Sequence, residues 1–296
     1  MFVWVGIAAQ TSGERTTVPW SLWGAEATAQ LMGSVLRQGF GGIFWPHCPG
    51  RATVGPGPGC CSPCLIVCGF PLQYGMVFDA GSSHTSLFVY QWDSDKENDT
   101  GVVSQTLSCD VQGQGISSYA NNPPEAGNSL RECLDKALQV IPAEKQRDVP
   151  AYLGATAGMR LLREQEHSAA EQVLAEVAKT MQEYPVAFRG ARILTGEEEG
   201  AYGWITINYL LDSFTKVGEG CNTHSLAADI FGALDLGGAS TQITFMPEGS
   251  ALIQNEGSEL TLYGYRYRIY AHSYLCYGQD EMLKRLAKEL IVVSSC

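Results

Sequence analysis

The stretch DLGGASTQITF, Asp235 to Phe245, opens with an acid, passes through two glycines and small residues, and ends in strand-like alternation. A second stretch, DAGSSHTSLFV from Asp79 to Val89, reads the same way. The two acids lie 156 residues apart. At that offset Asp79 matches Asp235, Gly81 matches Gly237, Ser82 matches Gly238, Ser83 matches Ala239, His84 matches Ser240, Thr85 matches Thr241 and Leu87 matches Ile243. A single acid–glycine turn is weak evidence of anything but a hairpin. Two in register predict an internal duplication, with a strand–loop–strand unit in each half. The apolar runs before the acids (YGMVFDAG, FGALDLGG) and after the loops (SLFVYQW, STQITFM) supply the paired strands.

Helical patterns lie around these units. EAGNSLRECLDKALQVI puts Leu130, Cys133, Leu134, Ala137, Leu138 and Ile141 on one helical face. AYLGATAGMRLL reads as a strand at Ala151 to Leu153, a small-residue loop and a helix start. SAAEQVLAEVAKTMQEY reads as a helix capped by Ser168, with Glu171 three residues later completing a capping box. ARILTG is a strand, EEEGAYGWITINYLLDSF a helix, and DEMLKRLAKELIVV another. Strands alternating with helices predict an α/β protein with a partly parallel sheet.

Composition bounds the rest. The chain has 296 residues, 45% hydrophobic and 17% charged, which supports a globular core rather than bulk disorder. Its formal net charge of -12 gives no electrostatic case for nucleic-acid binding. Residues 1–70 differ: three Arg and two Glu with no Lys or Asp, many Gly, Pro and Trp, and five of the ten cysteines. They show no sustained period of strand or helix, so 1–71 is read as an irregular segment. CCSPCLIVC lacks the second pair or His cluster of a zinc site. No run approaches the roughly 20 apolar residues of a membrane span, and no clear secretory leader is visible.

The loops suggest phosphate chemistry. Turns of Gly, Ser and Ala let backbone N–H groups converge on an anion, and Ser82, Ser83, Ser240 and Thr241 add hydroxyls. An acid beside bound phosphate repels it unless a divalent cation sits between them. Ca²⁺ and Mg²⁺ both suit a site of carboxylates plus phosphate. A hydrolase also needs a base for water, and TGEEEGAYGW offers Glu197, Glu198 and Glu199. Acids in a first helical turn also stabilise the helix dipole, so spacing alone does not choose among the three. The small residues of GATAGMR, 154–160, serve ligand approach and tight helix packing equally well.

Taken in order, DAGSSHTS, YLGATAGMRLL, ARILTGEEEGAYGWITINYLL and ALDLGGASTQITF resemble the conserved regions of the cell-surface ecto-nucleoside triphosphate diphosphohydrolases, or apyrases. KENDTGVV, GISSY and HSYLCYG are similar to this family too, and the resemblance spans about 74–290. It implies an actin-like, Hsp70-like (ribonuclease H-like) fold of two lobes, the first over 72–210 and an incomplete second over 211–296. It implies hydrolysis of extracellular nucleoside tri- and diphosphates to monophosphates with Ca²⁺ or Mg²⁺. The family's catalytic base falls on Glu199, and its metal-organising acids on Asp79 and Asp235. The phosphate loops fall on Ser82, Ser83, His84 and Thr85, and on Gly238, Ala239, Ser240, Thr241 and Gln242. Ser240 and Gln242 would place the attacking water, and Thr156 would line the same cleft. A Cys109–Cys133 disulfide, an oxidising compartment and N-glycosylation at Asn98 are implied as well.

The departures from the family set further expectations. Glu197 stands where the family has Gln, and residues 1–70 match nothing in it. The family's membrane anchors, fifth conserved region and nucleoside-base pocket have no counterpart here, so Cys276 would have only Cys296 as a substitute partner. Members are membrane-anchored and often oligomeric, at the cell surface. Three readings therefore stand together: an active apyrase, a catalytically inactive shortened isoform that at most binds phosphate, and an actin-fold small-molecule kinase.

Overall fold

The computed structural model describes residues 72–93, 103–211, 213–214, 230–247, 257–262 and 265–294. The readings for residues 1–71, Asn98 and Cys296 fall outside them. The first sheet holds β1 (Leu72–Ala80), β2 (Thr85–Asp93), β3 (Ser104–Asp110), β4 (Pro150–Ala155) and β5 (Ala187–Ile193). Its order is β3-β2-β1-β4-β5. The first three strands pair antiparallel, and β4 and β5 add in parallel beside β1. This order and direction are those of an actin-like, ribonuclease H-like lobe. The second sheet, β6-β7-β9-β8, is antiparallel and comprises β6 (Ala233–Leu236), β7 (Ser240–Phe245), β8 (Gly257–Leu262) and β9 (Tyr265–Leu275).

β1 is buried on both faces, which explains its unbroken apolar run. Met76 and Phe78 join one core cluster, while Val77 packs with Phe88 and Tyr90 on the other side. Against the first cluster lie α1 (Pro123–Ser129), α2 (Arg131–Val140), α3 (Ala157–Gln165) and α4 (His167–Gln182). In α4, Ala169, Ala170, Val173, Val177, Thr180 and Met181 form the buried stripe. A separate cluster, built on Leu194, Trp204, Ile205, Tyr267 and Ile269, joins α5 (Gly196–Leu210) to the second sheet.

Two local readings need correction. The stretch read as one helix is two, because Leu130 is the C-cap of α1 and the N-cap of α2; Leu138 on its face is only half-buried. The N-cap of α4 is Glu166, not Ser168, and its side chain makes no capping bond. α3 ends at Gln165, so a single residue separates the helices and α4 begins before the serine. The chain's capping box is elsewhere: Thr195 Oγ1 accepts from the Glu198 N–H, and the Thr195 N–H donates to Glu198 Oε2, each at 3.1 Å.

A disulfide joins Cys109 at the end of β3 to Cys133 in α2, across 24 residues of sequence. Closing a loop of that length restricts the unfolded chain. Replacing both cysteines by serine is therefore expected to cost about 3 kcal/mol, read as a lower denaturation midpoint, with a somewhat steeper slope because the freed unfolded chain exposes more surface. An unchanged midpoint would show that the bond does not stabilise the first sheet.

Candidate active site

The two acid–glycine hairpins are built alike. In the first, Asp79 pairs with Ser86 and Ala80 with Thr85. In the second, Asp235 pairs with Gln242 and Leu236 with Thr241. A Cβ on Gly81 would lie 3.1 Å from the His84 carbonyl, and one on Gly237 3.3 Å from the Ser240 carbonyl. These are the same contact at the 156-residue offset read from the sequence. The loops also approach each other. A Cβ on Gly238 would lie 2.6 Å from Ser82 Oγ and 2.6 Å from Asp280 Oδ2.

Each loop is braced from behind. Under the first, the Gly115 N–H donates to the Ser83 carbonyl and the Val111 N–H to the Thr85 carbonyl. A Cβ on Gly158 would lie 2.8 Å from Ser82 Cα, so the small residues of GATAG do permit close helix packing here. Under the second, the opening N–H groups of α6 (Gln279–Ser294) reach the loop: Gln279 donates to the Gly237 carbonyl at 2.9 Å and Asp280 to that of Gly238 at 2.9 Å. The loop carbonyls thus satisfy donors that a helix start leaves without partners.

Between the hairpins lies the first turn of α5, where the structure separates the three acids. Glu197 is exposed, and Glu198 is occupied by the capping box and by Arg192 at 2.7 Å. Glu199 is only 7% exposed and points into the interior. Its Oε2 accepts from Arg160 Nη1 at 2.6 Å. Burial pushes the Glu199 carboxyl up to about 8; the Arg160 charge opposes this, while the charges of Asp235 and Asp79 reinforce it.

The network continues onto the second sheet. Arg160 Nη2 donates to Ser240 Oγ at 3.1 Å, and Gln242 Nε2 donates to Ser240 Oγ and to Ser273 Oγ, the latter at 3.0 Å. Arg160 and Ser273 were not among the residues singled out from the sequence. Their partners come from α5, β7 and β9, so no spacing along the chain announces them.

The remaining candidates fall as follows. Ser82, Ser83 and His84 are half-buried in the first loop, and Ser83 Oγ lies 3.1 Å from His84 Nδ1. Thr85 is buried in β2. The Thr156 N–H donates to the Ala80 carbonyl, at the foot of that loop. Gly238, Ala239, Ser240 and Gln242 are buried together in the second hairpin. Thr241 differs: strand alternation turns it away from Ser240 and Gln242, and its hydroxyl donates to the Tyr277 carbonyl at 2.6 Å. Its side chain is spent on the loop that leads to α6. Cys276 is a free thiol among the described residues.

Among the described residues no three His, Cys, Asp or Glu side chains are placed to hold a metal ion by themselves. The site offers two carboxylates, Asp79 and Asp235, beside hydroxyls and backbone. That all-oxygen set fits a hard divalent cation completed by water and phosphate, and it does not fit a closed protein cage.

Residues 70–296 match the model of the GDA1/CD39 (nucleoside phosphatase) family. The chain is 59% identical over 219 residues to ectonucleoside triphosphate diphosphohydrolase 8 of Gallus gallus, covering 74% of this chain and 44% of that protein. It is 55% identical over 215 residues to human ectonucleoside triphosphate diphosphohydrolase 2, covering 73% and 43%. It thus spans less than half the length of these relatives. Among solved structures, a nucleoside triphosphate hydrolase of Neospora caninum aligns over 70% of this chain and 45% of its own, at 17% identity and a TM-score of 0.48. The paired hairpins, the buried acid between them and the match over 70–296 place this chain in the GDA1/CD39 (nucleoside phosphatase) family.

Proposed function

We propose that the chain hydrolyses nucleoside tri- and diphosphates to monophosphates by attack of water on the terminal phosphorus. The observation that carries this reading is the buried Glu199 beside Ser240 and Gln242, between two hairpins of identical register. The loops Ser82–Thr85 and Gly238–Gln242 receive the phosphates through backbone N–H groups and the hydroxyls of Ser82 and Ser83. Ser240 and Gln242 place the water, and Glu199 takes its proton as the new bond to phosphorus forms. The bond to the leaving phosphate breaks in the same displacement, and Thr156 lines the cleft. Asp79 and Asp235 would hold Ca²⁺ or Mg²⁺, which supplies positive charge against the phosphate oxygens when bound. The Cys109–Cys133 disulfide and the "ecto" names of the relatives support an extracellular setting. Among the described residues no helix is long and apolar enough to cross a membrane.

The test is phosphate release from ATP and ADP by the purified 296-residue chain, with Ca²⁺ or Mg²⁺ and again with a chelator. Release without any acceptor, lost on chelation, is expected. Release that survives chelation would remove Asp79 and Asp235 from metal binding. Phosphate transfer only to an added small-molecule acceptor would favour the kinase reading. No turnover with either metal would favour the inactive reading.

A further inference from the structure

We propose that Arg160, assisted by Ser273, is the positioning residue of this site: it fixes Glu199 and holds Ser240, and through Ser240 and Ser273 the Gln242 amide, in one frame. The inference rests on the phosphohydrolase reading above. Arg160 is 8% exposed, on α3, and packs between elements distant in sequence. One arm of its guanidinium donates to the Leu194 carbonyl at 3.1 Å and to Glu199 Oε2 at 2.6 Å. The other donates to Ser240 Oγ at 3.1 Å and reaches Ser273 Oγ at 3.5 Å. A planar fork bridges a carboxylate and two hydroxyls in this way; the point charge of a lysine does not.

The donor and acceptor count then follows. Arginine only donates, and a hydroxyl has one proton and two lone pairs. Ser240 Oγ accepts from Arg160 and from Gln242 Nε2, so both its lone pairs are engaged. Its proton is left to point out of the network, as a donor. Gln242 commits its N–H₂ group to Ser240 and Ser273. Gln242 Oε1 is buried and has no hydrogen-bond partner among the described residues. It is therefore the acceptor that this orientation leaves over. Ser273 completes the arrangement, because its hydroxyl is the second acceptor that holds the Gln242 N–H₂ group in place. A Cβ on Gly196 would collide with the Ser273 side chain, so the first turn of α5 is seated directly on this serine. The frame thus ties the Ser240 hydroxyl, the Gln242 amide and the Glu199 carboxylate into one network. During attack Arg160 gives up no proton: one proton of the water goes to Glu199 and the leaving phosphate departs as an anion.

The experiment compares the full chain with Arg160→Ala, Arg160→Lys and Ser273→Ala. It reads kcat and KM for phosphate release from ATP with Ca²⁺, and the affinity for a non-hydrolysable analogue. Arg160→Ala is expected to lower kcat by ~10²-fold with KM and analogue affinity little changed, the signature of lost alignment. Arg160→Lys should not restore the rate, added guanidinium ion should raise the rate of Arg160→Ala alone, and Ser273→Ala should show a smaller fall in kcat. A raised KM with kcat unchanged would make Arg160 a substrate-binding residue and overturn the proposal, as would full activity in Arg160→Lys. A wild-type chain that releases no phosphate would sink the hydrolase reading instead. The frame itself is then read from a double-mutant cycle of Arg160→Ala with Glu199→Gln in urea unfolding, where additive effects would overturn it.

Discussion

Glu199→Gln is expected to lower turnover by at least ~10²-fold while leaving nucleotide affinity largely intact, as the loss of a general base requires. Gln keeps the size of the side chain and an oxygen for Arg160, but it cannot take a proton. The control is Glu198→Gln. That residue closes the capping box, which Gln can also do, and pairs with the half-exposed Arg192, so the substitution removes only that ion pair and costs stability by about 0–1 kcal/mol, not kcat. Loss of turnover in Glu198→Gln and none in Glu199→Gln would overturn the assignment. The wild-type pH profile carries the same argument. A base must be ionised, and burial holds the Glu199 carboxyl up to about 8, with Asp235 and Asp79 adding to the shift and Arg160 opposing it. Turnover should therefore fall as pH is lowered through the neutral range. A cation held at the two aspartates, as proposed, would cancel their contribution, so the midpoint with metal bound would lie below about 8. A rate that rises on acidification would contradict Glu199 as the base.

The hairpins were legible in the sequence because strand alternation and an acid–glycine turn are both local signals. They set Asp79 opposite Ser86 and Asp235 opposite Gln242 without help from the rest of the chain. The apolar stripe of α4 was legible for the same reason. The break at Leu130 was not, since the helical face continues through it and only the backbone turns. β9 was missed because YRYRIYAHSYL carries aromatic rings on its outer face as well as its inner one. Phe245, Tyr270, His272 and Tyr274 stack in series there, hiding the usual apolar–polar alternation. The choice among three consecutive acids needed the helix phase: Thr195 as N-cap directs Glu198 back to the backbone, and the next residue turns inward. Arg160 sits among apolar neighbours in GMRLL, and only its partners 34 to 113 residues away reveal what it does.

Trp204→Ala is expected to destabilise the protein by about 3–5 kcal/mol, among the largest effects available to a single substitution. Trp204 is fully buried in α5, with its ring edge-on to Phe214 at 5.7 Å and to Tyr267 of β9 at 5.8 Å. Phe214 and Tyr267 meet at 5.4 Å, so the three rings close a triangle that no single neighbour can refill. Such pairs add about 0.5–1.5 kcal/mol each beyond their buried area. The Trp204 indole nitrogen has no hydrogen-bond partner among the described residues, so the cost comes from packing. Trp204→Phe should accordingly recover much of it. The ring triangle belongs to the cluster around the second sheet, separate from the cluster under β1 and β4. Amide exchange should therefore quicken more in β7 and β9 than in β1 and β4; equal quickening would mean that both sheets open as one unit. Activity follows from the same geometry. Glu199 lies in the first turn of α5 and Ser240 starts β7, so a helix loosened from β9 moves the proposed base relative to the hydroxyl proposed to orient the water. kcat should then fall even under conditions where Trp204→Ala remains folded and binds nucleotide, because alignment between the sheets is lost before either hairpin is.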